Sequence, residues 1–156
     1  DEYNFSHKNV VFFTTKQLKY EIDKISEKIK NSSSRLGIHI GNLTSENNRI
    51  LLDNNPKIED WLNAIIDEAS KFNSKSEKDK PFFIFILDSK SSNKETYSRI
   101  KNECDNYLIR SQCIKSLEKM NNLSVVGNLL KQMYCKNGGI LYNVHLGRIL
   151  HEKPSY

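Results

Sequence analysis

Apolar residues in this chain gather into short continuous runs and helical stripes, separated by polar segments. Asn9-Val-Val-Phe-Phe13 is the first run, and its length and lack of alternation predict a strand buried on both faces. Thr14-Thr15 predict a cap for a helix in which Leu18, Ile22, Ile25 and Ile29 recur at helical spacing. Lys19, Glu21, Asp23, Lys24, Glu27 and Lys28 form its solvated side, and Asn31-Ser-Ser-Ser34 predict its end. Arg35-Leu-Gly-Ile-His-Ile40 is a candidate second strand. His39 within it fits a satisfied structural histidine, since nothing nearby supplies partners for a metal. Thr44 to Asn55 is polar around a small patch, Ile50-Leu51-Leu52, and matches neither period.

Asn55-Pro56 then predict a helix start, with asparagine as cap and proline in the first turn. Ile58, Trp61, Leu62, Ile65, Ile66, Ala69 and Phe72 follow at helical spacing, which makes Trp61 a core residue before a stacking one. A charged, serine-rich loop from Asn73 to Lys80 leads to Phe82-Phe-Ile-Phe-Ile-Leu87, the strongest strand signal in the chain. A helix around Tyr97, a strand over Leu108–Ile114, a helix over Ser124–Lys136 and one short strand in the tail complete the pattern. Val125, Val126, Leu129, Leu130 and Met133 are the apolar face of that last helix. Strands alternating with helices predict an α/β, Rossmann-like single domain: a central, mostly parallel sheet of about four strands with helices on both faces. Such sheets bind ligands beyond the carboxyl ends of their strands.

The length of 156 residues suits one domain with a substantial core, and 37% hydrophobic with 28% charged residues suits a polar surface. No apolar run is long enough to cross a bilayer, so no membrane partner is expected. The start, Asp1-Glu-Tyr-Asn, is unlike a secretory signal. Cys104, Cys113 and Cys135 lack metal-ligand spacing and read as reduced, buried thiols of an intracellular protein, cytoplasmic or nuclear. A net charge of +5 permits an anionic partner without naming one. The lysines are spread along the chain, so most belong to a solvated face.

The chemistry concentrates between Tyr97 and Gly139. On a helix, Lys101 lies four residues from Tyr97 and shares its face; Asn128, Gln132 and Lys136 do the same on a second helix that Gly138-Gly139 would end. Gln112 follows in a predicted strand. An aromatic ring, two ammonium groups and several amide donors suit a terminal phosphate with a base stacked beside it. They do not suit bond-breaking, for they include no strong general base or nucleophile. The loop Asp88, Ser89, Lys90, Ser91, Ser92, Asn93, Lys94, Glu95 and Thr96 would read the edge of that base, and its backbone N–H groups would add to phosphate binding. Each residue also has a plainer role. Tyr97 alone fits an amphipathic residue over a sheet edge, Lys101 and Lys136 fit solvated lysines near helix ends, and Gln112 fits a strand residue satisfying backbone groups.

Tyr-x-x-x-Lys, then Gln-Cys, then a helix ending Gln-x-x-x-Lys-x-Gly-Gly resembles the MID domain of Argonaute proteins, the Piwi branch in particular. The motif-bearing part runs from about Pro81 to Val144. The resemblance implies that the chain anchors the 5′-phosphorylated end of a small guide RNA, with Tyr97, Lys101, Gln112, Gln132 and Lys136 at the phosphate and Tyr97 stacked on the first base. Gln132 stands where many Argonautes of the other branch carry lysine, and the resemblance implies that a Mg²⁺ near it balances the missing charge; no other cofactor is expected. A 5′-uridine preference is implied too, although Asp88 stands where a proline is common and the loop is longer than usual.

On this reading residues 1–156 are a single, monomeric MID-like domain cut from a longer chain. Residues 9–87 form the first half of the sheet, 88–144 the pocket, and 145–156 the start of a linker. Its partners are the guide RNA and the remaining domains of the same Argonaute chain. It is a binding domain and not an enzyme, since cleavage in the family belongs to a following domain. The rival is an α/β protein-interaction or receiver-like signalling domain with no nucleic-acid ligand. A receiver needs an acidic pair after the first strand, where this chain has Thr14-Thr15-Lys16. A metal-dependent adhesion motif fails at Asp88-Ser-Lys-Ser-Ser92, and no glycine-rich dinucleotide turn follows the first strand.

Overall fold

The computed structural model describes residues 4–5, 10–35, 39–40, 48–76 and 79–114. Strands β1 (Asn4–Phe5), β2 (Val10–Thr15), β3 (His39–Ile40), β4 (Arg49–Leu52), β5 (Phe82–Ile86) and β6 (Arg110–Ile114) are joined by helices α1 (Lys19–Arg35), α2 (Ile58–Ala69) and α3 (Lys94–Asn106). The main sheet has the order β4-β2-β5-β6, and all its pairs are parallel. β1 and β3 form a separate two-stranded parallel pair. The fold is thus the expected α/β, Rossmann-like one, built on a four-stranded parallel sheet.

Register explains how both sheet faces are filled. Phe13 stands beside Phe85, and Phe83 beside Ser111, so Val11, Phe13, Phe83, Phe85 and Cys113 share one face. Trp61 and Ile65 of α2 and Ile100 and Cys104 of α3 join them in one buried cluster. Phe13 stacks on Phe85 with ring centroids 4.6 Å apart, and Trp61 meets Phe85 edge-on at 6.2 Å. The alternate residues Phe12, Phe82, Ile84 and Ile86 are also buried, as are Ile22, Ile25 and Ile29 of α1. The chain steps from β2 outward to β4, then back across β2 to β5. With right-handed crossovers, that reversal puts α1 on the face opposite α2 and α3.

Several local expectations are corrected. α1 does not stop at the serines but runs through them to Arg35, with Ser32 and Ser33 buried on its inner side. Of the candidate strand Arg35–Ile40, the described residues are Arg35, which ends α1, and His39–Ile40, which pair with β1 and not with the main sheet. The edge position belongs to β4, held to α1 by an ion pair between Arg49 and Asp23. Thr14 and Thr15 lie inside β2, and Thr14 Oγ1 donates to the Ile86 carbonyl (2.8 Å) instead of capping a helix. Asn55 does not cap α2 either. It has φ of 58°, a left-handed conformation that asparagine tolerates. α2 begins at Ile58, where the Asp60 carboxylate accepts the Lys57 N–H (2.8 Å).

The C-terminal end of α3 also differs from expectation, because Leu108 belongs to a turn and not to a strand. Leu108 has φ of 56°; its N–H donates to Asp105 O and that of Ile109 to Cys104 O, both at 3.0 Å. This pair of bonds is a Schellman motif, and the contact between Ile109 and Cys104 in the core accompanies it. Lys80 Nζ, bonded to Tyr107 O at 2.6 Å, fastens the same corner to the strand β5 that follows Lys80.

Among the described residues no helix is long and apolar enough to cross a membrane. Cys104 and Cys113 are buried thiols in no disulfide, as expected, and Cys135 lies outside the described residues. Replacing Phe85, fully buried, with alanine should destabilise the fold by about 3–5 kcal/mol in denaturant unfolding, the usual range for a truncated core aromatic. A second expectation concerns pH. Burial pushes the Cys104 thiol up from its ordinary 9.0 to about 12, with a hydrogen bond to Ser111 acting the other way. Folding keeps the proton on, whereas the unfolded chain releases it, so this contribution is present below pH 9 and is lost as pH rises towards about 12. Wild-type stability should therefore fall with pH more steeply than that of Cys104→Ala over this window, by up to about 1.4 kcal/mol per pH unit.

Candidate functional site

The reversal of strand order falls between β2 and β5, so the crevice for a ligand opens beyond their carboxyl ends. Residues 88–93 leave β5 there and lead directly into α3. They include a single turn of 3-10 helix, Ser89–Ser91, and form a closed set of hydrogen bonds. Ser92 Oγ donates to Asp88 O (2.8 Å) and Asn93 Nδ2 to Lys90 O (2.9 Å). The Ser91 N–H donates to Asp88 O (3.1 Å) and the Asn93 N–H to Ser91 O (3.0 Å). Asn93 is also the cap of α3, its Oδ1 accepting the Thr96 N–H at 2.9 Å.

This network divides the loop into an inside and an outside. Ser91 and Thr96 are buried, whereas Ser89, Lys90, Asn93, Lys94 and Glu95 are exposed. A ligand at the crevice would meet the second group. Ser91 is held from below: Trp61 Nε1 of α2 donates to its Oγ at 3.0 Å, deep in the structure. This contact, across 30 positions of sequence, is one that periodicity could not reveal; a serine beside an exposed lysine gives no signal of burial.

Tyr97 stands in the first turns of α3, half-buried against the cluster of Trp61, Phe85 and Ile100. Lys101 is exposed one turn further on, about 6 Å along the axis. Helical side chains lean towards the helix start, so the lysine stem leans back towards Tyr97 and the crevice. The structure therefore brings these two together on one stripe. Gln112 is apart from them: it pairs with Ile84, not with Phe83 or Phe85, and so belongs to the sheet face that α3 does not cover. It lies two residues short of the end of β6, and its Nε2 donates to Cys113 O at 3.2 Å. Gln132 and Lys136, and the Mg²⁺ expected beside Gln132, lie outside the described residues.

Two buried polar atoms at this end of the sheet have no hydrogen-bond partner: Thr15 Oγ1 at the end of β2 and Asp88 Oδ1 at the head of the loop. Among the described residues no three His, Cys, Asp or Glu side chains gather to hold a metal. A separate open pocket of about 370 Å³ lies at the end of β4 and the start of α2, lined by residues that include Asp53, Asp60 and Asp67. Its acidity suits a cation and not a phosphate, which separates it from the Tyr97 region. Lys16 already bonds Asp53 at its rim (2.7 Å).

Comparison with known proteins finds no family model and no curated protein that matches this chain.

Proposed function

We propose that this chain binds the 5′-phosphorylated end of a small guide RNA, as the MID domain of a Piwi-type Argonaute. The observation that carries the reading is the start of α3: it opens at the carboxyl end of a parallel sheet, behind an ordered loop, with Tyr97 and Lys101 on one stripe. A helix start there offers N–H groups and the positive end of its dipole to an anion. Lys101 adds a point charge, and a phosphomonoester with its second pKa near about 6 carries one to two negative charges to meet it. The Tyr97 ring provides a stacking surface that tolerates any base. Lys90 and Lys94, both exposed on the loop and helix start, extend the positive field to the next phosphates.

Gln112, two residues short of the end of β6 and on the sheet face that α3 does not cover, stands apart from this group, and the reading rests on Tyr97 and Lys101. The family resemblance implies the remaining phosphate contacts at Gln132 and Lys136, with a Mg²⁺ beside Gln132 that would offset charge. Binding, not catalysis, is the role that the resemblance implies.

Titration of the 156-residue chain with the four nucleoside 5′-monophosphates should give dissociation constants in the micromolar to millimolar range, on the order of single-nucleotide contacts. Unphosphorylated nucleosides should bind far more weakly; equal binding of the two would remove the phosphate site. Tyr97→Ala and Lys101→Ala should each weaken binding of a 5′-phosphorylated RNA by about 1–3 kcal/mol. Lys19→Ala, at an exposed position of α1, should leave it unchanged, and equal losses at all three positions would mean that bulk charge does the binding.

A further inference from the structure

The residues that choose the first base need not touch it. In the loop 88–93 the exposed members Ser89 and Lys90 have no core contact of their own; their position follows from the turn that contains them. Beyond the bonds within the turn, it is tied to α2 through Ser91 Oγ, which is 3.0 Å from the Trp61 indole nitrogen. Trp61 is itself immobilised: it is fully buried and set edge-on to Phe85, whose strand carries the loop. The indole N–H and the strand end thus hold the turn from two directions. A buried donor such as this one loses its only described acceptor if Ser91 moves outward, so displacement of the turn is opposed by the desolvation of the indole N–H.

We infer that Trp61 is a positioning residue for base selection, acting through the buried Ser91 hydroxyl to set Ser89 and Lys90 against the edge of the first base. The inference rests on the proposed function, and it assigns to α2 a part in specificity that α2 has no other means of playing. Trp61 lies inside the core and cannot stack on RNA; its effect is confined to the geometry of the loop. Phosphate binding depends on α3 and is separable from this hydrogen bond: Ser91→Ala leaves in place the Asn93 cap, the Tyr97–Lys101 stripe and the Trp61 ring in the cluster behind Tyr97, and Trp61→Phe keeps a ring there.

The test compares three variants of the whole chain. Trp61→Phe keeps an aromatic ring in the core and removes the donor. Ser91→Ala keeps the indole and removes the acceptor, and serves where Trp61→Phe is poorly folded. Ser91→Thr retains the hydroxyl. Each is titrated with the four nucleoside 5′-monophosphates and with ribose 5-phosphate, which reports the phosphate site alone. In Trp61→Phe and Ser91→Ala the ratio of strongest to weakest monophosphate should fall by about fivefold, the loss expected for one hydrogen bond. Ribose 5-phosphate binding should change less than about twofold, within the usual additivity error, and Ser91→Thr should retain the wild-type ratio.

The outcomes separate cleanly. Wild-type protein that binds no 5′-monophosphate overturns the proposed function and this inference with it. Wild-type protein that binds all four equally, or variants that keep the wild-type ratio, overturn the inference alone. So does a parallel loss of ribose 5-phosphate binding, which would make the indole a general support of the fold.

Discussion

The central strand β5 is the constraint on which this molecule depends. All five of its residues, from Phe82 to Ile86, are at most 1% exposed, and it pairs on one side with β2 and on the other with β6. A one-residue slip would exchange the two faces of a strand. In β5 polarity would not resist such a slip, because both faces are apolar; shape does. Phe83 and Phe85 fit around Phe13 and Trp61 on one face, whereas Phe82, Ile84 and Ile86 occupy the other. Exchanging a flat ring for a branched aliphatic chain in a close-packed core forces strained rotamers or leaves voids. The carboxyl end of β5 is therefore a fixed point, and the loop at Asp88 inherits its precision.

Fixing that end matters because hydrogen-bonding power is concentrated there. The loop turns its small buried members, Ser91 and Thr96, inward and leaves Lys90, Lys94 and Glu95 outside. Such a division gives a rigid turn with a polar rim, an arrangement that positions donors without ordering them again when a ligand arrives. The helix that follows is capped by Asn93 and closed by a Schellman motif at Leu108, so both ends of α3 are tied to the strands beside it. Leucine in a left-handed conformation costs about 1–2 kcal/mol relative to the right-handed one. It persists here because Ile109 and Cys104 bury their side chains on either side of the turn.

What could be read from the sequence follows from how each element is buried. Phe82–Leu87 was legible because a strand buried on both faces needs no alternation to be recognised. Tyr97 and Lys101 were legible as a pair because helical geometry is local. The edge strand β4 was not, since three of its four residues are only partly buried and its apolar patch is as short as a loop cluster. Arg35–Ile40 offered a better strand pattern, but the buried faces of Ser32 and Ser33 let α1 run on and consume its first residue. Small polar residues are accepted on the inner side of a helix wherever the sheet comes close, and no periodicity rule distinguishes them from a terminator. The face on which Gln112 lies was hidden for a related reason: it depends on register with Ile84, a relation between strands and not within one.

Thr15 Oγ1 and Asp88 Oδ1 are buried at the carboxyl end of the sheet without a hydrogen-bond partner, and Arg49 Nε at the amino end of β4 is a third such atom. At the amino end, Lys80 reaches a carbonyl of the Tyr107 turn and the corner is closed. At the carboxyl end, a buried hydroxyl and a carboxylate oxygen lack a protein partner, and a group of either kind left unsatisfied costs about 1–3 kcal/mol. A sequence selected for stability alone would remove such a cost by placing an apolar residue at either position. Departures of this kind are expected where a structure serves a ligand as well as its own packing. Thr15 and Asp88 flank the reversal of strand order and stand before the Tyr97 helix, at the end where open parallel sheets bind ligands.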